Sequence, residues 1–412
     1  MRPLADAQRD VLDAMERLPT TAVSLDQCLG LVLAEEVVAS HPVPPFANSA
    51  MDGFAVRAAD VASPPVSLTV LEDVPAGSVA RSAVTPGTAI KIMTGAPMPD
   101  GADAIVIVED SETSVDGQVT LLAAASPGEH VRRAGGDIEE GSTVLAAGTR
   151  LNPMHLGLLA SVGVSEPVVV QRPTVAVLST GDELAPADAP TLRPGGIHDS
   201  NRPMLTAVLA ELGVDVLDLG IVPDDARLLR SVLGEAASNA DTVVTSGGVS
   251  MGEYDLVKQV LGELGHIDFW RVAMQPAKPF AFGFLGVTPL FGLPGNPVSV
   301  MVAYEQFVRP ALLRRMGATL LFRQRSPAVL TTPVATNADK TVFVRVRVEV
   351  GGDGLTATPS GSQGSNVLSA LAAADAFAVV PVGVGDLAAG ADVELEWFRS
   401  PEARSYEEVL GG

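Results

Sequence analysis

Cysteine is almost missing from this chain: Cys28 stands alone among 412 residues. That excludes an intramolecular disulfide framework and any multi-cysteine zinc site. Aromatic residues make up only 4% of the chain against 47% apolar residues in all, so its cores must be aliphatic. The histidines (41, 130, 155, 198 and 266) are scattered, which argues against a histidine-based zinc centre. Positive charge is scarce as well. A formal net charge of −22 argues against a general surface for nucleic acid or anionic membrane. It still allows an anionic substrate that is neutralised locally. No run of 18 apolar residues occurs, so no membrane-spanning helix is expected. The opening MRPLADAQRD carries early charge and no apolar core, so no secretory leader is expected and the cytoplasm is the default location. There is no P-loop GxxxxGK(S/T) and no HExxH zinc-protease helix.

What is present implies several domains, because a chain of this length exceeds one ordinary core. Residues 3–18 place Leu4, Val11, Leu12, Met15 and Leu18 near helical spacing. From about 65 to 133, short apolar runs alternate with Gly, Pro and Asp and read as a small all-β unit. A helix is expected at 153–162. From 173 the texture is β-α: strands at 175–178, 214–219 and 242–245, helices at 202–212 and 224–237, then one ending near 264. Apolar runs at 280–285 and 289–292 lead to a helix from 297. Such alternation predicts a three-layer α/β domain around a mostly parallel sheet. After about 319 the pattern is β again. TVFVRVRVEV sets five valines (342 to 350) against Arg345, Arg347 and Glu349, which predicts a half-buried strand with the charges outward, followed by a turn at GGDG.

Three loops leave the carboxyl ends of the predicted strands: STGDEL (179–184), SGGVSMGEYD (246–255) and GLPGNPV (292–298). In open α/β sheets ligands bind at that edge. Gly247 and Gly248 beside Ser246 permit a backbone nest for an anion. Pro294, Gly295 and Asn296 precede Pro297, the pattern of an N-cap before the first helical residue. Each loop also reads as an ordinary turn; three on one edge favour a ligand. Asp182, Glu183, Asp224 and Asp255 add carboxylates there, which suggests a hard cation such as Mg²⁺ shared with substrate phosphates. Arg132, Arg202, Arg271 and Lys278 are the candidate cations. In the first half, PPFANSAMDGFAV (44–56) sets one acid, Asp52, in an apolar, proline-stiffened stretch.

The ordered set PPFANSAMDGFAV, IMTGAPMPDGADAIVIVED, GEHVRRAGGDI, LSTGDEL, DSNRPML, TSGGVSMGEYD, QPAKPFAFG and GLPGNPVSV resembles the molybdopterin molybdenumtransferases. These are the molybdenum insertases, also seen as the E domain of gephyrin. The likeness runs over essentially the whole chain. The β-α domain alone is also similar to the molybdopterin adenylyltransferases and the competence-damage family.

The resemblance implies four parts. They are an N-terminal and linker region (1–22, 41–48 and 134–172), an inserted β domain (23–40 and 49–133), a molybdopterin-binding α/β domain (173–318) and a C-terminal β-barrel (319–412). It implies a homodimer with its active site at the interface, and contact with molybdopterin adenylyltransferase. The implied substrates are adenylylated molybdopterin and molybdate, with Mg²⁺ as cofactor and AMP and molybdenum cofactor as products. By motif, the acids of the reaction fall on Asp52, Asp137, Glu183, Asp224 and Asp255, with Asp182, Glu183 and Asp255 as metal ligands. Substrate contacts fall on Thr94, Arg132, Ser246, Gly247, Gly248, Arg271, Lys278, Pro294, Gly295, Asn296 and Ser365. Carboxylic acids with raised pKa are expected to supply protons for loss of oxo groups. One departure stands out: many members read K-P-G-K-P where this chain has Gln275-Pro276-Ala277-Lys278-Pro279. The first cation is lost, which leaves Arg271 and Lys278 to carry its role. Two other readings stay open at this point, a catalytically weak binding scaffold and an adenylyltransferase. The second is disfavoured by about 250 residues outside the α/β domain.

Overall fold

The computed structural model describes residues 1–113, 116–248, 256–352 and 354–399. Its centre is a six-stranded sheet in the order Asp215–Val222, Thr174–Thr180, Thr242–Ser246, Thr288–Leu293, Pro279–Leu285, Gly265–Arg271. The first four strands and the last run in one direction, and only Pro279–Leu285 runs antiparallel to its neighbours. Both faces are covered, so the strands read as continuous apolar runs rather than alternating ones. Val175, Val177, Val244 and Phe291 face Leu205 and Leu209 of the Asn201–Leu212 helix. Ala176, Leu178, Val243 and Leu290 face Leu229, Leu233 and Ala236 of the Ala226–Asn239 helix. This is the predicted three-layer domain, with one addition: Gly265–Arg271 was not legible as a strand.

The N-terminal helix Leu4–Asp13 buries Ala7 and Val11 in the α/β core beside Leu312, Leu313 and Met316, rather than in a separate N-terminal unit. Residues 28–39, grouped with the β insert by their likeness, pack with Leu145, Leu151, Leu159 and Val169. Their short strand Val37–Val38 pairs with Thr143–Leu145, which ties them to the linker region. The insert is a six-stranded sheet spanning Gly53 to Leu121. Its alternation is clean, with Phe54 and Val56 on one core face and Ala55, Ile90 and Ile92 on the other.

The C-terminal domain closes into a five-stranded barrel, because Thr341–Gly351 pairs with both Gly354–Pro359 and Ala376–Val380. Here the expectation for Arg345 fails. Its side chain is 1% exposed, not outward. The first half of this strand is covered on both faces, with Phe343 in the α/β core and Val344 in the barrel core. The buried guanidinium is accommodated because it donates to the carbonyls of Gly364 (3.0 Å) and Ser362 (2.8 Å).

Candidate active site

The four parallel strands end at Thr180, Val222, Ser246 and Leu293, and the predicted loops leave from that edge. Gly247 has φ +92°, and a Cβ there would lie 2.6 Å from the Thr180 carbonyl oxygen. Only glycine lets these two loops touch. The amide of Gly247 donates to Leu293 O at 3.1 Å, so the SGG loop is fastened to the GLPGNP loop. Asn201 completes the fastening. Its Nδ2 donates to Ser246 Oγ (2.9 Å) and to Gly295 O (2.7 Å). The second acceptor is a carbonyl, so this nitrogen must be the donor. Asn201 was quoted within a motif but not singled out by sequence; nothing local to DSNRPML says which loops it will join.

Asn296 stands in the N-cap position with Pro297 at the first turn, yet its side chain makes no cap bond. It donates instead to Ser365 Oγ at 2.9 Å, and Val298 N donates to Ser365 O at 3.1 Å. Ser365 therefore sits on the α/β edge although it belongs to the C-terminal domain. The turn that carries it is the one Arg345 grips.

The acids divide. Asp182 Oδ1 accepts from the Asp224 amide at 3.1 Å, so these two predicted residues are neighbours. Asp225, not Asp224, caps the following helix by accepting from the amides of Arg227 and Leu228 at 2.8 Å. That leaves the exposed Asp224 carboxylate uncommitted to the helix. The Glu183 carboxylate folds over Gly181, where a Cβ would lie 2.5 Å from Oε2. Asp255, Val249 and Ser250 lie outside the described residues. Arg202 is engaged by Asp199 (3.2 Å) and by Asp218. Burial weakens its charged form, but those two carboxylates outweigh it and hold its pKa above the usual value. It is a framework cation here rather than a ligand for substrate. Arg271 lies opposite Pro279 in the ladder, and Lys278 immediately precedes Pro279, so both cations sit at the same sheet edge.

Asp52, Thr94, Arg132 and Asp137 form a second group, built entirely from the first 140 residues. Asp52 Oδ1 accepts from both the amide and the hydroxyl of Thr94, each at 2.7 Å. These bonds hold its exposed carboxyl below the usual carboxylate range, the backbone bond first. Asp52 is therefore a standing anion, and the expectation of a raised pKa fails for it. Gly53 is required beside it, because a Cβ would lie 2.2 Å from Val106 O. Arg132 pairs in register with Asn48, and Gly95 N donates to Ser49 O at 2.9 Å. Asp137 N donates to Val43 O at 3.0 Å. Thus the 43–53, 94–97 and 131–138 stretches are stitched into one surface.

The acid set suits a magnesium ion only in its open form. Among the described residues no group of three or more acids, histidines or cysteines is gathered as a metal cage. Mg²⁺ typically takes one or two carboxylates plus substrate phosphates, and the exposed Asp182 and Glu183 meet that requirement.

Three sequence families cover the chain in order. "MoeA N-terminal region (domain I and II)" matches residues 2–163, "Probable molybdopterin binding domain" 176–314, and "MoeA C-terminal region (domain IV)" 327–398. The molybdopterin molybdenumtransferase 2 of Mycobacterium tuberculosis is 40% identical over 405 residues, 96% of this chain and 99% of that one. The chain belongs to the molybdopterin molybdenumtransferase family. The Haemophilus influenzae molybdopterin molybdenumtransferase is 37% identical, covering 93% of this chain and 96% of its own. Among solved structures, a molybdopterin biosynthesis MoeA protein from Pyrococcus horikoshii superposes with a TM-score of 0.79 at 34% identity. That match covers 97% of this chain and 99% of the other. The family's full four-part architecture is therefore present here.

Proposed function

We propose that this protein inserts molybdenum from molybdate into adenylylated molybdopterin, cleaves its phosphoanhydride, and releases AMP and molybdenum cofactor. Membership of the family over the full length supports the transferase reading. The observation that carries the finer reading is the locked edge in which Gly247, Gly248, Asn296 and Ser365 converge beside Arg271 and Lys278. A phosphoanhydride requires charge neutralisation and fixed alignment more than covalent help from the protein. The two cations supply the first, and the Asn201 fastening supplies the second. Mg²⁺, held by Asp182 and Glu183, would neutralise phosphate charge when bound. Asp255 joins that set by motif.

The Asp52 surface serves the molybdate side. Its carboxylate, kept ionised by Thr94, orients and accepts hydrogen bonds rather than storing a proton. Arg132, paired with Asn48 on the same surface, offsets the charge of an oxyanion. Asp137, Glu183 and Asp224 are exposed carboxylates available for proton traffic as oxo groups leave as water. The two surfaces meet across a homodimer, the Asp52 group of one subunit facing the α/β edge of its partner. The protein works in the cytoplasm and takes its substrate from molybdopterin adenylyltransferase by contact.

The test supplies purified protein with adenylylated molybdopterin, Mg²⁺ and molybdate, and measures AMP and active cofactor. Both products are expected, each dependent on molybdate. Pyrophosphate from ATP and molybdopterin would mark an adenylyltransferase instead, and no turnover would mark a scaffold.

A further inference from the structure

The opposite edge of the central sheet holds a pocket that the function proposed above does not use. Its volume is about 470 Å³, and it opens between the linker region and the α/β domain, with Leu29, Arg150, Asn152, Arg172, Glu211 and Gly213 on its walls. Arg172 stands just before the strand Thr174–Thr180, and Gly213 just before Asp215–Val222. The candidate active site lies at the other end of these strands, roughly 25 Å away for eight extended residues.

Two guanidiniums close on Gly213. Arg172 Nη1 donates to Gly213 O and Arg150 Nη2 donates to Leu212 O, each at 2.6 Å. Both also tie to the 27–30 loop, Arg150 through Nε to Gly30 O at 3.2 Å and Arg172 through Nη2 to Gln27 O at 3.4 Å. A Cβ built on Gly213 would lie 3.5 Å from Arg172 Nη1 and 3.9 Å from Arg150 Nη2, so the two cations share one corner. These carbonyls use only part of each fork. Among the described residues, Arg150 Nη1 and Arg172 Nε have no hydrogen-bond partner, and neither arginine meets a carboxylate. Arg202, Arg309 and Arg323 show the alternative, since each is held by an acid. Burial lowers the pKa of Arg150, as expected of a cation that no acid compensates. Asn152 adds a third donor. Its Oδ1 accepts from the amide of His155 at 2.9 Å, which leaves Nδ2 without a partner among the described residues.

We propose that this pocket binds a doubly charged tetrahedral oxyanion, free or as the phosphoryl group of a small polar molecule, between Arg150 and Arg172. Guanidinium forks match phosphate oxygens in geometry, and such charge-assisted bonds are the strong ones. The volume is in the range that takes a whole small molecule, of which the anion fills the arginine corner. Glu211, exposed on the rim, opposes the anion and gives the site a sign that can be tested.

The experiment titrates the full chain with inorganic phosphate and with ribose 5-phosphate by calorimetry at low salt. Crystals soaked in selenate then locate the anion by the anomalous signal of selenium. Selenate is expected in the corner between Arg150 and Arg172. Arg172→Gln is expected to weaken phosphate binding roughly ten-fold, the scale of one charged contact. Glu211→Gln leaves both arginines and their carbonyl bonds in place, and removing its charge is expected to tighten binding several-fold. An anion held at the substrate edge, at the far end of the strands, would respond to neither change. Tighter binding of ribose 5-phosphate than of phosphate assigns a phosphorylated small molecule, and equal affinity assigns the free anion; both uphold the site. No selenium signal in the corner, or phosphate affinities that are equal in wild type, Arg172→Gln and Glu211→Gln, overturns the proposal and leaves the arginines as ties on a helix end. If Arg172→Gln does not fold, Glu211→Gln and the selenate position decide the matter by the same two criteria.

Discussion

At the scale of single residues, the acid in PPFANSAMDGFAV is the instructive one. The sequence marks Asp52 as out of place, and Thr94 as part of another motif. Their bond spans 42 positions and no local pattern announces it. That bond decides the chemistry, because it lowers the carboxyl pKa instead of raising it. Thr94→Val removes the hydroxyl bond but leaves the amide bond. The Asp52 pKa should therefore rise part of the way back toward about 3.9, the usual aspartate value. Side-chain carboxyl NMR over a pH titration reads this directly; an unmoved value would mean the hydroxyl contributes nothing. The sign for stability follows. A depressed pKa lends stability above the unfolded-state value and loses it as pH falls through the folded one. Thr94→Val should therefore lower stability slightly at neutral pH, and the difference from wild type should vanish as pH falls below the folded-state value.

At the scale of elements, periodicity located most helices and strands, and it misread the first half of Thr341–Gly351, which another domain covers. Val342 to Val350 alternate as expected, yet Arg345 is buried because both faces of that strand's first half are packed. Alternation reports a half-buried strand; it cannot report a partner supplied by another domain. The loops show the same limit. Glycines at 247 and 248 and the Asn296-Pro297 pair were legible as turn chemistry, whereas their fastening by Asn201 was not. Asn201→Ala removes two neutral hydrogen bonds and should cost about 2 kcal/mol of stability in denaturant unfolding. It should also raise KM for the pterin substrate, since the two loops are then free to separate. A stable variant with unaltered KM would show that the loops hold themselves in place.

At the scale of the whole molecule, the four-part organisation was legible only through ordered motifs spread along the chain; composition alone stopped at "several domains". Packing then redraws the seams, with the N-terminal helix in the α/β core and residues 28–39 in the linker unit. These seams matter because the candidate residues fall into two surfaces. The hydrogen bonds of the Asp52 surface stay within residues 43–138, and those of the other link residues 180–365. The dimer proposed above, by apposing them, would explain why one chain carries both. Subunit mixing tests this most directly. Asp52→Ala and Glu183→Ala homodimers, each purified and nearly inactive, are combined, allowed to exchange, and assayed for AMP and cofactor. Half the dimers would be mixed, and each would carry one intact site of two, so about a quarter of wild-type activity should return. If exchange is verified and no activity returns, the two surfaces do not form one site across the interface, and the account is wrong at its centre.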